Sequence, residues 1–353
     1  MNALLVGLAL ATFGAPQIES STLSGEEHAG ELAGLTSSTL KLKKSDGDVE
    51  IPLAEVLELR FLLPAGGPKS MALTPPIATL ADGSRFAWTS VAATAREIHF
   101  ETSRLGKVSL PLSSTASLRF APGDPKVDEA WNELTARDIK TDLLVIRKDD
   151  VLDHLDGTIG VIEKDRINFV IDGEEVPVKR DKVFGLIFAG RTPGDDKPVC
   201  ELTTIGGDKL RLRGAIWKDG KFSGELLAGA AVKIPAESLR SVDFSLGKVQ
   251  FLSQMEPREA KYTPYFDHVW KHHVDRTRDG TPIRLGNRNY ARGLWIHSRT
   301  QLKYRIGGDY RRFQAVMGID QAVAPRGDVH VVISGDGKPL LEADVRGADP
   351  PQP

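Results

Sequence analysis

Three histidines lie close together late in the chain, and imidazoles are common metal ligands. His268 and His272 are four residues apart, and His273 follows directly. On a helix this spacing would place the first two imidazoles on one face, as a zinc site requires. The surrounding residues YTPYFDHVWKHH indicate loop or strand instead, and no HExxH glutamate lies between the histidines. The sequence therefore predicts no metal site.

Residues suited to nucleophilic or phosphoryl chemistry lack their usual sequence context. The chain contains no GxSxG motif, no GxxxxGK[ST] loop and no GxGxxG after a strand. Cys200 is the only cysteine, so an intramolecular disulfide cannot form, and a lone cysteine in a strand-like segment is usually a small buried residue. A glycosidase pair cannot be selected from 48 carboxylates by sequence alone. The sequence predicts a protein that is not an enzyme, with no catalytic residues and no cofactor.

Charge and aromatic composition change near residue 250. The chain of 353 residues has a net charge of −2, which favours no class of partner. From Phe251 onward there are 16 Lys and Arg against 12 Asp and Glu, and all five tyrosines lie there. These basic residues are dispersed rather than forming a dense run, so no nucleic-acid partner is predicted. The length and the shift in composition predict two or more domains.

The N-terminus resembles a secretion signal in part. Ala3 to Phe13 is apolar and is followed by Gly14-Ala15-Pro16, so residues 1–15 form a candidate signal peptide, although no Lys or Arg precedes Lys41. We therefore expect a secreted, periplasmic or cell-surface protein. The apolar run is too short for a membrane-spanning helix, and no other stretch is long enough, so no transmembrane segment is predicted.

A repeat occupies most of the first 250 residues. Each copy has an apolar residue, a proline, a short mixed stretch and an alternating run that ends in phenylalanine, and the prolines are spaced by 59, 66 and 58 residues. Self-similarity of this kind is typical of duplicated structural units. The four motifs are Ile51–Phe61, Leu110–Phe120, Val176–Phe188 and Ile234–Phe244. The predicted repeats span 20–63, 77–121, 141–191 and 198–247.

Alternating apolar residues precede each of these prolines. In the third copy Ile167, Phe169 and Ile171 alternate, and Asp172-Gly173 supplies a hairpin turn. The pattern predicts an all-β chain of small, strongly bent antiparallel barrels, Sm-like or SH3-like. The proline is expected to open or edge a strand, where its missing N–H is tolerated.

One helix is predicted between the second and third repeats, over residues 124–140. Ala130, Trp131, Leu134 and Ile139 lie roughly on one helical face, and acidic residues lie near the start. The helix could recognise a partner or could pack on a neighbouring barrel through Trp131. An apolar stripe usually faces a core, so the pattern favours packing.

The last hundred residues form a series of short strand-like segments. Leu302, Tyr304 and Ile306 alternate with polar residues, as do Phe313, Ala315 and Met317, and then Val329, Val331 and Ile333. The turns are Gly307-Gly308-Asp309, Pro325-Arg326-Gly327-Asp328 and Gly335-Asp336-Gly337. Regular short strands joined by such turns indicate a β-sandwich.

Several motifs in this region resemble one known family. The family's opening strand is resembled by FLSQMEP, and a strand, a basic-Gly turn and a His-Ser pair of the family are resembled by PIRLGNRNYARGLWIHSRTQLKY. The family's central motif is resembled by GGDYRRFQAVMGID, and a following hairpin by VHVVISGDGKPLLEADV. In this order, from Phe251 to about Ala348, they are similar to the NPCBM/NEW2 domain, a carbohydrate-binding module. The resemblance implies a galactose-binding-like jelly-roll sandwich at 250–353 and a non-catalytic role directed at glycans.

The chain departs from the family pattern in two places. Trp295 stands where a glycine is expected before the apolar-His-Ser stretch. The sequence also stops at Pro353, before the final strands of the family, so the module is expected to be truncated, with an open sheet edge.

Sugar recognition requires an aromatic face for the C–H side of a pyranose and polar side chains that fix the hydroxyl groups. The candidate ligand-binding residues are Trp295, His297, Arg292, Tyr290, Asn289, Trp270 and Asp320, with Tyr262, Tyr265 and Asn287 as further candidates. Aromatic residues of a sandwich mostly pack cores, and Asp320 is better suited to capping a turn than to binding a ligand.

Two functions remain open from the sequence. In the first, an exported non-catalytic protein binds a glycan or polysaccharide through the C-terminal sandwich. In the second, the N-terminal repeats bind protein partners and the C-terminal module serves as an assembly surface.

Overall fold

Antiparallel strands make up about half of the described chain, and they are accompanied by one α-helix and four short 3₁₀ helices. The structure, a computed structural model, describes residues 15–24, 26–63, 71–191, 196–218, 220–264, 267–308, 310 and 312–352. The predicted signal peptide, apart from residue 15, lies outside these ranges. The prediction of an all-β chain is confirmed. The chain divides into two units, Met1–Lys248 and Val249–Pro353, which are described separately.

The first unit contains four segments of consecutive strands. Segment 1 has β1 (Gln17–Thr22), β2 (Glu27–Leu35), β3 (Thr39–Lys43), β4 (Val49–Pro52) and β5 (Val56–Phe61). Segment 2 has β6 (Ile77–Leu80), β7 (Arg85–Ala87), β8 (Ser90–Ala93), β9 (Glu97–Thr102), β10 (Gly106–Pro111) and β11 (Thr115–Arg119). Segment 3 has β12 (Asp142–Lys148), β13 (Val151–Ile162), β14 (Arg166–Ile171), β15 (Glu174–Lys179) and β16 (Gly185–Ile187). Segment 4 has β17 (Cys200–Thr204), β18 (Lys209–Leu212), β19 (Ile216–Lys218), β20 (Lys221–Glu225), β21 (Ala231–Pro235) and β22 (Leu239–Asp243).

Strand pairing follows the same plan in every segment. The first strand pairs with both the second and the last, in β1–β2 and β1–β5, β6–β7 and β6–β11, β12–β13 and β12–β16, and β17–β18 and β17–β22. A three-stranded meander lies between them. In segment 1 the long strand β2 pairs with both β1 and β3, and in segment 3 the long strand β13 pairs with both β12 and β14. In segments 2 and 4 two shorter strands, β7 and β8 or β18 and β19, make the corresponding pairings.

The bend of the long strand β13 depends on glycine. A side chain at Gly157 would come within 2.4 Å of the Val170 carbonyl oxygen, and one at Gly160 within 3.0 Å of the Asn168 carbonyl oxygen. The β13–β14 register shifts between Ile159 and Ile162, beside these positions. Only glycine permits so close an approach of the two backbones.

The motif proline closes the penultimate strand in three segments rather than opening a strand. Pro52, Pro111 and Pro235 end β4, β10 and β21, while Pro177 lies inside β15. Within the described pairings each of these strands has a single partner, so the proline removes no hydrogen bond from a central position. In segments 2, 3 and 4 a 3₁₀ turn then leads into the last strand; these turns are Leu112–Ser114, Arg180–Lys182 and Ala236–Ser238.

The only α-helix among the described residues is α1 (Pro125–Ala136). Asp124 caps it by accepting bonds from the Lys126 and Val127 N–H groups, at 3.1 and 3.0 Å. It ends before the predicted residue 140 because Arg137 adopts an extended conformation. Val127, Trp131 and Leu134 pack against a small cluster from segments 2 and 3 that includes Phe184, and the Trp131 and Phe184 rings lie 5.6 Å apart.

Last strands join the segments in pairs. Segments 1 and 4 meet along β5–β22, and segments 2 and 3 meet along β11–β16. One continuous hydrophobic core extends through all four segments, and its largest fully buried side chains include Phe86, Phe100, Phe169, Phe222 and Phe244. Cys200 is buried in this core at the start of β17.

A buried carboxylate joins segments 2 and 4. Asp208 accepts hydrogen bonds from the Arg104 guanidinium, from the Ala87 N–H at 2.9 Å and from the Thr204 hydroxyl at 2.6 Å. The side chain of Asp208 is 1% exposed and that of Arg104 is 23% exposed. Nearby, the Arg211 N–H donates to the Ser84 hydroxyl at 2.9 Å. The carboxylate therefore satisfies donors from both segments away from water.

The second unit consists of paired strands. They are β23 (Glu259–Tyr262) with β28 (Thr300–Lys303), β24 (His273–Val274) with β27 (Leu294–Trp295), β25 (Ile283–Leu285) with β26 (Arg288–Tyr290), and β29 (Asp328–Gly335) with β30 (Lys338–Arg346). A 3₁₀ helix, Leu252–Gln254, precedes them. The alternation at 313–317 predicted a strand, but in the described chain only Met317 pairs, in a bridge to Gln352.

The β29–β30 hairpin has the predicted turn. Asp336 and Gly337 both have positive φ, 49° and 77°, as a type I′ turn requires. His330 and Asp344 face each other across the two strands, with Nδ1 2.9 Å from Oδ1. No helix in the described part of the chain has the length and apolar character needed to cross a bilayer.

We expect Arg104→Ala to destabilise the first unit strongly. The change leaves the Asp208 carboxylate buried without its cation, which costs about 3 kcal/mol of unfolding free energy. Urea unfolding of the full chain measures this loss. Arg166→Ala, which removes an exposed pair with Glu163, is the matched control and should change little. Equal losses in the two variants would show that the Asp208 pair contributes no more than a surface contact.

The His330 imidazole should titrate above its ordinary pKa of 6.5, because its hydrogen bond to Asp344 stabilises the protonated form. The same contact lowers the pKa of Asp344. The pair therefore stabilises the hairpin most between about pH 3.8 and pH 6.5: its contribution is lost as the pH rises through the folded pKa of His330 and as it falls through that of Asp344. NMR titration should show the pKa of His330 falling in Asp344→Asn but not in Asp336→Asn. An unchanged value in Asp344→Asn would contradict the contact.

Candidate functional site

The strand pair β24–β27 brings together aromatic residues that are distant in sequence. His273 lies opposite Trp295, and their ring centroids are 5.6 Å apart in an edge-to-face arrangement. Asp275 continues the pairing, because its N–H donates to the Gly293 carbonyl at 2.9 Å and its carboxylate accepts from the Gly293 N–H at 3.0 Å. This ladder fixes the two segments in register.

Trp270 contacts three side chains. The His297 ring lies nearly parallel to it at 5.5 Å, the His268 ring meets it edge-on at 4.8 Å, and the Arg278 guanidinium lies over it at 4.5 Å. We call His268, Trp270, His273, Trp295 and His297 the aromatic cluster. Trp270 and Trp295 are partly buried and His268 and His297 are exposed, so the cluster lies at the surface.

A tight turn places Arg278 over Trp270. The Thr277 N–H donates to the Thr281 carbonyl at 2.8 Å, and the two threonine hydroxyls are also 2.8 Å apart. Gly280 supplies the positive φ of 79° that the turn requires. Thr277 is buried and anchors the turn, and the exposed Arg278 that follows it lies over the Trp270 ring.

Trp295 and Asp320, both predicted site residues, contact each other directly. The indole Nε1–H donates to Asp320 Oδ2 at 2.8 Å. Asp320 Oδ1 also accepts from the Ala322 N–H at 3.0 Å, which caps the turn that follows. Both oxygens of Asp320 therefore hold protein groups and fix the orientation of the indole ring.

Arg292, a third predicted site residue, donates from Nη1 to Asp275 Oδ2 at 2.6 Å. Burial raises the pKa of the Asp275 carboxyl, but the bonds from Arg292 and the Gly293 N–H outweigh it, so that pKa lies below its ordinary value. The carboxylate stays charged and holds the guanidinium beside the β24–β27 ladder.

Tyr290 and Asn289 lie on the separate strand pair β25–β26. Tyr290 is opposite Ile283, and the Arg288 guanidinium lies 5.5 Å from the centre of its ring. Asn289 is exposed. The Ile283 side chain of this hairpin lies against Gly293, where a Cβ would come within 3.2 Å of it. The structure thus pairs Trp270 with His297 and Trp295 with Asp320, and holds Arg292 against Asp275 beside the β24–β27 ladder. Tyr290 and Asn289 lie on the adjoining β25–β26 hairpin.

The remaining candidates are dispersed. The Tyr262 hydroxyl lies 2.5 Å from His272 Nδ1, and the two rings stack at 6.1 Å. Asn287 is exposed in the β25–β26 turn, and Tyr265 lies outside the described residues. No group of three or more His, Cys, Asp or Glu side chains within the described ranges is arranged to hold a metal ion.

Four contributors to the site were not predicted from the sequence, namely His268, His273, Asp275 and Arg278. The run HVWKHHVDRTR contains all of them, and its alternation of basic and aromatic residues was the available signal. Sequence reasoning weighed its histidines only as metal ligands. The observed partners of His268 and His273 are the two tryptophans, and that of His272 is Tyr262.

Residues 248–353 match the family model of the NPCBM/NEW2 domain. A protein of Renibacterium salmoninarum described as "Putative endo-alpha-N-acetylgalactosaminidase" is 34% identical over 67 residues, which cover 19% of this chain and 4% of that protein. No solved structure matches the chain. The NPCBM/NEW2 domain is a β-sandwich, and the antiparallel strand pairs of this unit agree with that all-β class.

We expect Asp275→Asn to destabilise the NPCBM/NEW2 domain at neutral pH. The folded pKa of Asp275 lies below its ordinary value of 3.8, so its stabilising effect is complete above about pH 3.8 and is lost as the pH falls through the folded value. Thermal unfolding at several pH values should therefore show a gap between wild type and variant that narrows below pH 3.8. Asp267→Asn, an exposed position in the same segment, controls for loss of one charge. A gap that is independent of pH would contradict the role of the carboxylate.

Proposed function

We propose that this protein is exported and binds a glycan or polysaccharide through the aromatic cluster of its NPCBM/NEW2 domain. The observation that carries the proposal is the contact set around Trp270 and Trp295, at the surface of a carbohydrate-binding domain. Ring faces next to directed hydrogen-bonding groups suit the C–H face and the hydroxyl groups of a sugar. The apolar run Ala3–Phe13 supports export.

We propose binding rather than catalysis as the role of the domain. Among the described residues, Asp275, Asp279 and Asp320 are carboxylates in contact with the site, and each already accepts hydrogen bonds from protein donors. Such carboxylates orient neighbouring side chains. The relative in Renibacterium salmoninarum is named as a glycosidase and so supports a carbohydrate ligand, but the match covers 4% of it.

The four segments of the first unit are, in this proposal, copies of one small barrel of Sm-like or SH3-like type. The shared pairing of first, second and last strands supports a duplicated unit. The strands β23–β30 would belong to a jelly-roll sandwich. The barrels would carry the sugar-binding domain, and protein partners of the barrels are the alternative role.

The test is a glycan-array screen of the full chain. We expect binding to at least one class of sugar, and Trp270→Ala should weaken it at least about tenfold, or 1.4 kcal/mol, because the variant loses the ring face. Tyr310→Ala, an exposed aromatic outside the cluster, is the matched control and should bind normally.

Each outcome separates the alternatives. Binding that survives in a folded Trp270→Ala variant would remove the aromatic cluster from the site. A folded wild-type protein that binds no sugar would overturn the carbohydrate proposal and favour an assembly role for the barrels.

A further inference from the structure

The basic charge of the NPCBM/NEW2 domain is concentrated around the aromatic cluster. Residues 267–299 contain seven Lys and Arg against three Asp, whereas the rest of the chain from residue 251 contains nine of each sign. The whole positive excess of the domain thus lies in the segment that builds the candidate site. Concentrated charge of one sign attracts ligands of the opposite sign.

The carboxylates of residues 267–299 do not neutralise the positive charge of this segment. Asp275 pairs with Arg292, and Asp279 pairs with Arg278 at 3.0 Å. Lys271 and Arg276, on either side of the β24 strand, have no carboxylate within ion-pair distance among the described residues. Within the described part of the chain, these two cationic side chains therefore lie on either side of β24 without acidic partners.

Guanidinium groups also lie over the rings that could serve as sugar platforms. Arg278 lies 4.5 Å from the centre of the Trp270 ring, and Arg288 lies 5.5 Å from that of Tyr290. A neutral sugar could stack on these faces only by displacing the guanidinium. An acidic sugar could instead pair with it, because a stacked guanidinium still presents its N–H groups edgewise to a carboxylate or sulfate.

The existing partner of Arg278 can be displaced. Asp279 is its sequence neighbour, and the two side chains are 49% and 73% exposed. Exposed pairs of this kind contribute little to stability, so a ligand anion held over Trp270 can replace Asp279 as the partner of Arg278.

We propose that the ligand of this domain is an acidic carbohydrate, whose carboxylate or sulfate group is bound by Arg278 above Trp270. This inference rests on the proposed sugar-binding function and specifies its ligand class. Lys271 and Arg276 add long-range attraction, and the cluster rings contact the sugar body.

The experiment compares binding of the full chain to polygalacturonate, chondroitin sulfate, neutral galactan and single-stranded DNA, in 50 mM and 500 mM NaCl. We expect at least about tenfold tighter binding to an acidic polysaccharide than to galactan at low salt, decreasing at high salt. The carboxylated and sulfated ligands show which anion is preferred.

Variants locate the anion site. Arg278→Ala should reduce binding to the acidic polysaccharide about tenfold and leave galactan binding unchanged or improved, since the Trp270 face becomes open. Asp279→Asn should strengthen acidic binding, because it removes the competing carboxylate. Arg346→Ala, an exposed arginine on the β29–β30 hairpin, should have no effect. Thermal unfolding confirms that each variant is folded.

The outcomes are distinguishable from those of the proposed function. Equal binding to galactan and acidic polysaccharides would overturn this inference and leave the sugar-binding function intact. Absence of binding to every sugar would overturn both. DNA binding as tight as acidic-sugar binding would show a non-specific polyanion surface, and loss of acidic binding in Arg346→Ala equal to that in Arg278→Ala would do the same.

Discussion

The first unit depends on one buried carboxylate. Segments 1 and 4 share a strand ladder, and so do segments 2 and 3, but Asp208 lies where the two pairs meet, at the contact of segments 2 and 4. The bonds from Arg104 and Ala87 of segment 2 to Asp208, together with the β18–β7 bridge between Lys209 and Arg85, hold segments 2 and 4 in register. A shift at this junction would leave a buried charge without its donors.

Much of the strand pattern in the first unit could be predicted because buried residues alternate with exposed ones along many of its strands. The proline of each motif marked a strand with one partner, and the phenylalanine at its end marked the last strand of a segment. Strand β1 was harder to predict, because Ser20 and Thr22 are buried where apolar residues would be expected. The apolar alternation that indicates a strand is therefore missing from its second half.

The arrangement of the segments could not be derived in the same way. All four carry equivalent last strands, and nothing in the local pattern states that β5 pairs with β22 and β11 with β16. That choice depends on contacts such as Trp131 against Phe184, which join residues far apart in sequence. In the NPCBM/NEW2 domain, residue types predicted Trp295 and Asp320 separately, but their hydrogen bond spans 25 residues and depends on the intervening chain. Arg278 was missed because only the anchored turn at Thr277 brings it over Trp270.

The burial of Cys200 has a practical consequence. Burial in the segment core, reinforced by the nearby Asp243 carboxylate, raises the pKa of this thiol to about 12, so almost no thiolate exists at neutral pH. Thiolate is the form that reacts with oxidants and alkylating reagents. While the chain is folded, Cys200 therefore does not react with maleimides or take part in disulfide exchange. A cysteine introduced at an exposed position would therefore be the single site at which thiol reagents label the folded chain.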